Sequence, residues 1–323
     1  MTSLTSKISA RLVTTPDCDL KVVNAARVSF NKESHSLTPE DAGLLRYLAT
    51  HRHWTPFSHC RETFSFAGRS EVARADLMKF FLFDLTQEDQ ASAVFHSVGQ
   101  KIYVRHSIFG WANVLNKSAQ LAPHGFVVQM SNVYWALMEK YPSSMKHLVN
   151  EHTQTLFDGY VVTSPEFDVV NNDYFKDVTM CETVPIFVAR QRFKHMVGTT
   201  YNEVSRRYVA STPDIYFPEV WRGKHENKKQ GSTDQPAEYM HGDNARLLTT
   251  AHNLESVVQD YDAMIANGVC PEQARLNLPQ GMMTEYYVTA HRHAWNRFVE
   301  QRLDSHAQKE IQDLATISQH LLK

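Results

Sequence analysis

The spacing of apolar positions along this chain predicts where helices and strands fall. In TPEDAGLLRYLAT (38–50), Leu44, Leu45 and Leu48 share one helical face, Thr38 is placed to cap the helix and Pro39 sits at its first position. ETFSF (62–66) alternates like a strand, and VTMCET (178–183) reads as another. LKVVNAARVSF (20–30) is a helix or strand lead-in, and HWTPFSH (53–59) is a polar turn broken by Pro56. Long apolar patterns through 70–160 predict several helices, among them 75–85 and 126–140, while VTSPEFDVVNND (162–173) is a turn-rich return.

Pro185 is placed to open a helix from its first position, with Ile186, Phe187, Ala189 and Phe193 on the apolar side. Arg190 with Lys194, and Gln191 with His195, then share helical faces, and Gly198 ends the helix. RGKHENKKQGSTDQPAEYMHG (222–242) reads as an exposed loop. From 282 to 301, Met283, Tyr287, Ala290, Ala294 and Phe298 recur at helical spacing, and Ser305 with Gln308 forms a capping box for a last helix through Leu322.

Composition narrows the function more than the fold. The 323 residues allow one large domain or two ordinary ones, and a formal net charge of −2 argues against a nucleic-acid coat or a polybasic membrane anchor. No apolar run approaches a membrane span and the N-terminus has no apolar signal core, so a cytoplasmic protein is expected. Cys18, Cys60, Cys181 and Cys270 are scattered with no CxxC, which suggests neither a metal site nor a disulfide framework.

Against that neutral background, PIFVARQRFKHMVGTTYNEVSRRYV (185–209) is unusual. Arg190, Arg192, Lys194 and His195 fall within six residues, and Arg206 and Arg207 follow. Cations on a helix surface are usually a solvated face. Here they follow an apolar run and precede a segment too polar for a core, so a small phosphorylated ligand fits them, since guanidinium forks match phosphate oxygens.

PIFVARQ, the Lys194-His195 pair and NEVSRRY (202–208) closely resemble the signature of the flavin-dependent thymidylate synthases (the ThyX family). Further pieces agree in order along the chain: AARVSF (25–30), HWTPFSH, YFPEVWR (216–222) with NKKQGS, ARLNLP (274–279) and RLDSHAQKEIQ (302–311). The resemblance implies an α/β fold, a core sheet flanked by helices, built from 1–66 and 178–323. It makes 67–177 a mainly helical insertion between two core strands, as in a divergent, phage-like member, in a bacterial or phage-infected cell. The aromatics Phe80, Phe81, Phe83, Trp111 and Trp135 then suggest that the insertion packs outside the assembly or enlarges a subunit contact.

The resemblance also implies a reaction: reductive methylation of dUMP to dTMP, with methylenetetrahydrofolate as carbon donor and NADPH as reductant through FAD. It implies a homotetramer with shared active sites, and no nucleic-acid or membrane partner. Carried over by motif, the catalytic residues are Arg302, Ser205 and His53. Those for dUMP are Gln191, Lys194, Glu203, Ser205, Arg206, Arg207, Arg275 and Arg302, with Arg275 reaching in from a neighbouring subunit. Those for FAD are Thr55, Lys194, His195, Asn202, Glu203, His291, His293 and Arg297. There is no GxGxxG, so side-chain cations would have to hold the cofactor's pyrophosphate.

Departures from the family pattern cluster on the cofactor side. Lys194-His195-Met196 replaces Arg-His-Arg, Ser58 stands for Glu, and His291 and His293 stand for Asn and Arg. Three alternatives stay open: a related enzyme with another C5 product such as a 5-hydroxymethyl pyrimidine nucleotide, a Cys270 nucleophile, and a nucleotide-binding homologue without chemistry.

Overall fold

The computed structural model describes residues 3–67, 71–81, 94–121, 124–160, 167–171, 175–226 and 232–323. The chain divides into two compact units, one of Met1–Val13, Arg27–Lys32 and Val178–Lys323, the other of Thr14–Ala26 and Glu33–Asp177.

The first unit is built on a four-stranded sheet in the order Ser9–Leu12, Asp177–Pro185, Met283–His291, Thr199–Glu203. Ser9–Leu12 runs antiparallel to the Asp177–Pro185 strand, and Thr199–Glu203 antiparallel to Met283–His291 with Tyr286 opposite Glu203. The helices Ile186–Arg192, Arg292–Arg302 and Lys309–Leu321 supply Val188, Trp295, Phe298, Ile311 and Leu314 to a core shared with Met180, Val184 and Val288 of the sheet. Apolar burial of this kind stabilises by roughly 1.5–3 kcal/mol for each large side chain. A six-residue visit by the chain, Arg27–Lys32, adds Ser29, whose carbonyl accepts from Ser205 N and whose Oγ donates to the Glu203 carbonyl.

The second unit has its own antiparallel sheet, in the order Val94–Val98, Lys101–Ser107, Arg61–Ala67, Phe167–Val169. Phe64, Phe66, Ile102 and Val104 face a helical layer that includes Pro39–Thr50, Ile108–Leu121 and His124–Lys140. Phe80, Phe81 and Trp111 are buried in that core, whereas Trp135 is 40% exposed; Phe83 lies outside the described residues. Among the described residues, no helix is long and apolar enough to cross a membrane.

Several sequence expectations hold at residue level. Thr38 caps Pro39–Thr50 in a capping box with Asp41, and both expected strands form. The lead-in at 20–30 is the helix Asp19–Arg27 followed by a 3-10 turn, Val28–Phe30.

Others are corrected. Pro185 is the last residue of its strand and the N-cap of the next helix, not its first position, because its ψ of 151° is extended. That helix stops at Arg192, six residues before Gly198, so neither Arg190 and Lys194 nor Gln191 and His195 share a helical face. Residues 283–291 form a strand buried on both sides, so their apolar positions carried no period that distinguishes strand from helix. The loop expected at 222–242 contains a hairpin, Arg222–Lys224 with Ser232–Pro236, and a short helix, Glu238–His241. Gln308 is the N-cap of the last helix without a side-chain cap bond, so the Ser305–Gln308 capping box does not form. The turn at 53–59 holds one helical turn, Trp54–Phe57, and the helical stretch 70–160 also contains the strands Val94–Val98 and Lys101–Ser107. In the expected return at 162–173, Phe167–Val169 is a strand.

Candidate active site

Two groups of candidate residues come together in the first unit. The first lies where the Ile186–Arg192 helix ends and the Arg292–Arg302 helix closes against it. Arg302 donates through Nε to His195 Nε2 at 2.9 Å and through one Nη to the Gln191 carbonyl at 3.4 Å. Lys194, His195, Met196, Arg297 and Arg302 line a cleft of about 160 Å³ together with Val197 and Ala294. Burial and the neighbouring guanidinium groups of Arg192, Arg302 and Arg297 lower His195 from its ordinary 6.5 to about 4. His195 is therefore neutral at pH 7, and its Nε2 lone pair can accept the arginine proton.

Beneath this cleft lies a charged pair that is shut off from water. Arg192 is 1% exposed and donates through Nε to both carboxylate oxygens of Glu182, at 3.3 and 3.2 Å. Its guanidinium stands 4.0 Å from the Phe298 ring centre and 4.7 Å from that of Trp295, and also donates to Tyr201 Oη. Tyr201 donates to the carbonyls of Arg192 and His195, which fixes the turn carrying His195. Burial, foremost, with Glu182 close by, raises the Tyr201 hydroxyl to about 12, so it stays a donor.

Gln191, expected to touch the nucleotide, is tied to Gln308 by an amide hydrogen bond of 2.6 Å. Gln308 in turn donates to Glu310, which Arg222 grips at 2.8 and 2.9 Å. The first helical turn of the last helix is thus braced against the cleft.

The second group gathers around the helix Pro271–Ala274. Arg207 donates through Nε to Glu272 Oε1 at 2.6 Å, and Arg275 donates through Nε to the Glu272 carbonyl at 3.2 Å. Ser205 Oγ accepts from the Arg207 backbone N–H at 3.4 Å. Glu203 accepts from Thr284 Oγ1 at 2.7 Å, and burial pushes its carboxyl up. Arg206 turns away to the Ser211 carbonyl. Among the described residues, the side-chain hydrogen bonds of Arg302, Arg207 and Arg275 stay within their own group.

The remaining cofactor candidates are dispersed. His291 caps the Arg292–Arg302 helix by accepting from His293 N, and His293 and Arg297 are exposed on that helix. Asn202 lies on the Thr199–Glu203 strand opposite Tyr287. His53 and Thr55 belong to the second unit, where His53 is exposed against Tyr47 and His51 and Thr55 is the second residue of the one-turn helix Trp54–Phe57. Cys270 is exposed and N-caps Pro271–Ala274. Among the described residues, no cluster of His, Cys, Asp and Glu is arranged to hold a metal ion.

Sequence reasoning passed over Glu182, Tyr201 and Glu272. Glu182 had a legible signal: a carboxylate inside an otherwise buried strand needs a cation, and Arg192 follows Val188 and Ala189 at helical spacing on the buried face. Glu272 had none, since its role depends on a turn bringing it to residues 65 positions away.

Comparison with known proteins agrees with the motifs. A family described as "Thymidylate synthase complementing protein" matches residues 11–161 and 176–323, a span that takes in most of 67–177. A flavin-dependent thymidylate synthase of Aquifex aeolicus (strain VF5) is 30% identical over 308 residues, covering 92% of each chain. That of Kosmotoga olearia (strain ATCC BAA-1733 / DSM 21960 / TBF 19.5.1) is 35% identical over 132 residues, 41% of this chain and 56% of its own. The crystal structure of a UMP/dUMP methylase, PolB from Streptomyces cacaoi, bound with 5-Br dUMP, aligns over 98% of this chain and 90% of its own, at 19% identity and a TM-score of 0.42. With nearly its whole length matched, the chain belongs to the flavin-dependent thymidylate synthase family.

Proposed function

We propose that this protein converts dUMP to dTMP, with FAD as cofactor, methylenetetrahydrofolate as carbon donor and NADPH as reductant. The observation that most supports this is Arg302 fixed at two points, on neutral His195 and on the Gln191 carbonyl. C5 of a uracil becomes nucleophilic when negative charge gathers along N3 and O4. A guanidinium already held in place meets that charge without reorganising. Because its partner is a neutral imidazole and a carbonyl, the charge of Arg302 is not cancelled. The hydroxyl of Ser205 and the guanidinium groups of Arg207 and Arg275 are assigned to the 5′-phosphate.

The cleft residues suit a flavin nucleotide in charge, since Lys194 and Arg297 would meet its phosphates without a glycine loop. At about 160 Å³ the cleft is smaller than the roughly 300–1,000 Å³ of sites that enclose a whole ligand, so it takes one part of the cofactor. Bound FAD would supply hydride, drawn from NADPH, to the transferred carbon. The assembly we propose is a homotetramer in which neighbouring subunits complete the remaining surface.

The test is anaerobic incubation of FAD-loaded protein with NADPH, following flavin absorbance with and without dUMP. Bleaching stimulated by dUMP, with dTMP identified by mass spectrometry, is the expected result. A flavin that never reduces, or a protein that takes up no flavin, would overturn the assignment.

A further inference from the structure

Glu272 engages two of the candidate arginines at once. Its carboxylate accepts from Arg207 Nε at 2.6 Å and its backbone carbonyl from Arg275 Nε at 3.2 Å. Among the described residues these are the side-chain hydrogen bonds that the two guanidinium groups make, so the Nη edges of both remain open. Arg207 is also steadied from the side, 5.4 Å over the Tyr208 ring, which stacks on Phe30 with centres 5.1 Å apart. Ser205 Oγ already accepts from the Arg207 backbone N–H, which leaves its own proton available to a ligand.

The side chains of Arg207 and Glu272 are 52% and 51% exposed. An ion pair so exposed adds little to fold stability. Its consequence lies in where it holds the guanidinium. Glu272 meets both guanidinium groups at Nε, through its carboxylate for Arg207 and its carbonyl for Arg275, so it does not close the Nη edge of either. A guanidinium gripped by Nε keeps its two Nη–H groups in the fork that matches phosphate oxygens.

We propose that Glu272 is a positioning residue that presents the Arg207 and Arg275 forks together to one phosphate monoester dianion, the 5′-phosphate of the nucleotide. This rests on the reading of this surface as the nucleotide site. It adds that both forks can come from a single chain, and that the Arg207 fork is held by a carboxylate no motif marks, beside an Arg275 fork held by the backbone carbonyl of the same residue. Ordering the two long side chains before binding removes part of the entropy cost that the ligand would otherwise meet.

The experiment is titration calorimetry of the full chain with dUMP and, separately, with deoxyuridine. Glu272→Ala is expected to weaken dUMP about tenfold while leaving deoxyuridine unchanged, since only the phosphate uses the held forks. Glu272→Gln restores most of the loss, because its amide oxygen still accepts from Arg207 Nε. Should the alanine variant not fold, Glu272→Met carries the same expectation, as it keeps the side-chain length and removes the acceptor. Unchanged or tighter dUMP binding in these variants overturns the proposal, tighter binding marking Glu272 as a blocking counter-ion. Equal losses for both ligands overturn it too, as a merely structural role. Parent protein that does not prefer dUMP to deoxyuridine removes the nucleotide reading itself, a failure separate from that of Glu272.

Discussion

Arg192 shows how one side chain can stand among ligand-like cations and yet serve none. Its charge is answered by Glu182, at 0% exposure, and its face is covered by Phe298 and Trp295. Arg192→Met strands a buried carboxylate and is expected to cost about 3–5 kcal/mol, read by urea unfolding. Adding Glu182→Met removes the stranded charge and should recover a large part of that loss. His195 gives a pH prediction of definite sign. Unfolded, it takes a proton near 6.5; folded, near 4. The unfolded chain therefore binds more protons in that window, and stability falls as pH drops from about 6.5 to about 4. Glu203, raised by burial, acts oppositely as pH rises above its ordinary 4.5. Thermal melts across pH should show a shallower acid-side decline in His195→Gln than in the parent. Of the candidate site, the motif residues were legible because they are close in sequence. Their pairing with Glu272 and Gln308 was not, because those contacts join segments 65 and 117 positions apart, and Tyr201 was missed because its bonds depend on how the turn after Arg192 folds back.

At the scale of elements, a capped helix with one apolar face and the short buried strands at 62–66 and 178–183 were legible, while the buried strand Met283–His291, continued directly by a helix, was not. Thr38 with Asp41 and the three leucines specify a capped amphipathic helix with no reference to the rest of the fold. MTEYYVTAH is covered on both faces, and its β-branched and aromatic content carried the strand signal that spacing lost. The paired polar strands Arg222–Lys224 and Ser232–Pro236 lack apolar alternation, so composition alone read them as loop. Gly110 offers a test in which local propensity and packing disagree. In a helix interior, alanine is favoured over glycine by about 1 kcal/mol. A Cβ there would lie 1.6 Å from the ring of His106, which is 1% exposed. Gly110→Ala is therefore expected to destabilise, and a raised melting temperature would show that the imidazole moves aside at no cost.

For the whole molecule, the Arg302 group and the Arg207–Arg275 group are each braced by their own partners among the described residues. In the homotetramer proposed above, a nucleotide that uses both would draw on more than one copy. Arg275→Ala and Arg302→Ala proteins, each inactive alone, should regain a measurable fraction of parent activity when unfolded, mixed and refolded together. Mixtures that stay inactive, with tetramers formed, would place each complete site within one subunit. The same long-range view brings out a consequence of the six residues Arg27–Lys32, which leave their neighbours to deliver Ser29 to the Glu203–Ser205 backbone. No single cut parts the two units: a break after Asp177 would strand Met1–Val13 and Arg27–Lys32 on the wrong fragment. A ribosome finishes those N-terminal stretches long before the strands that receive them exist. The two halves must therefore be inherited, expressed and shuffled as one gene, because neither is a cassette that recombination could lift out whole.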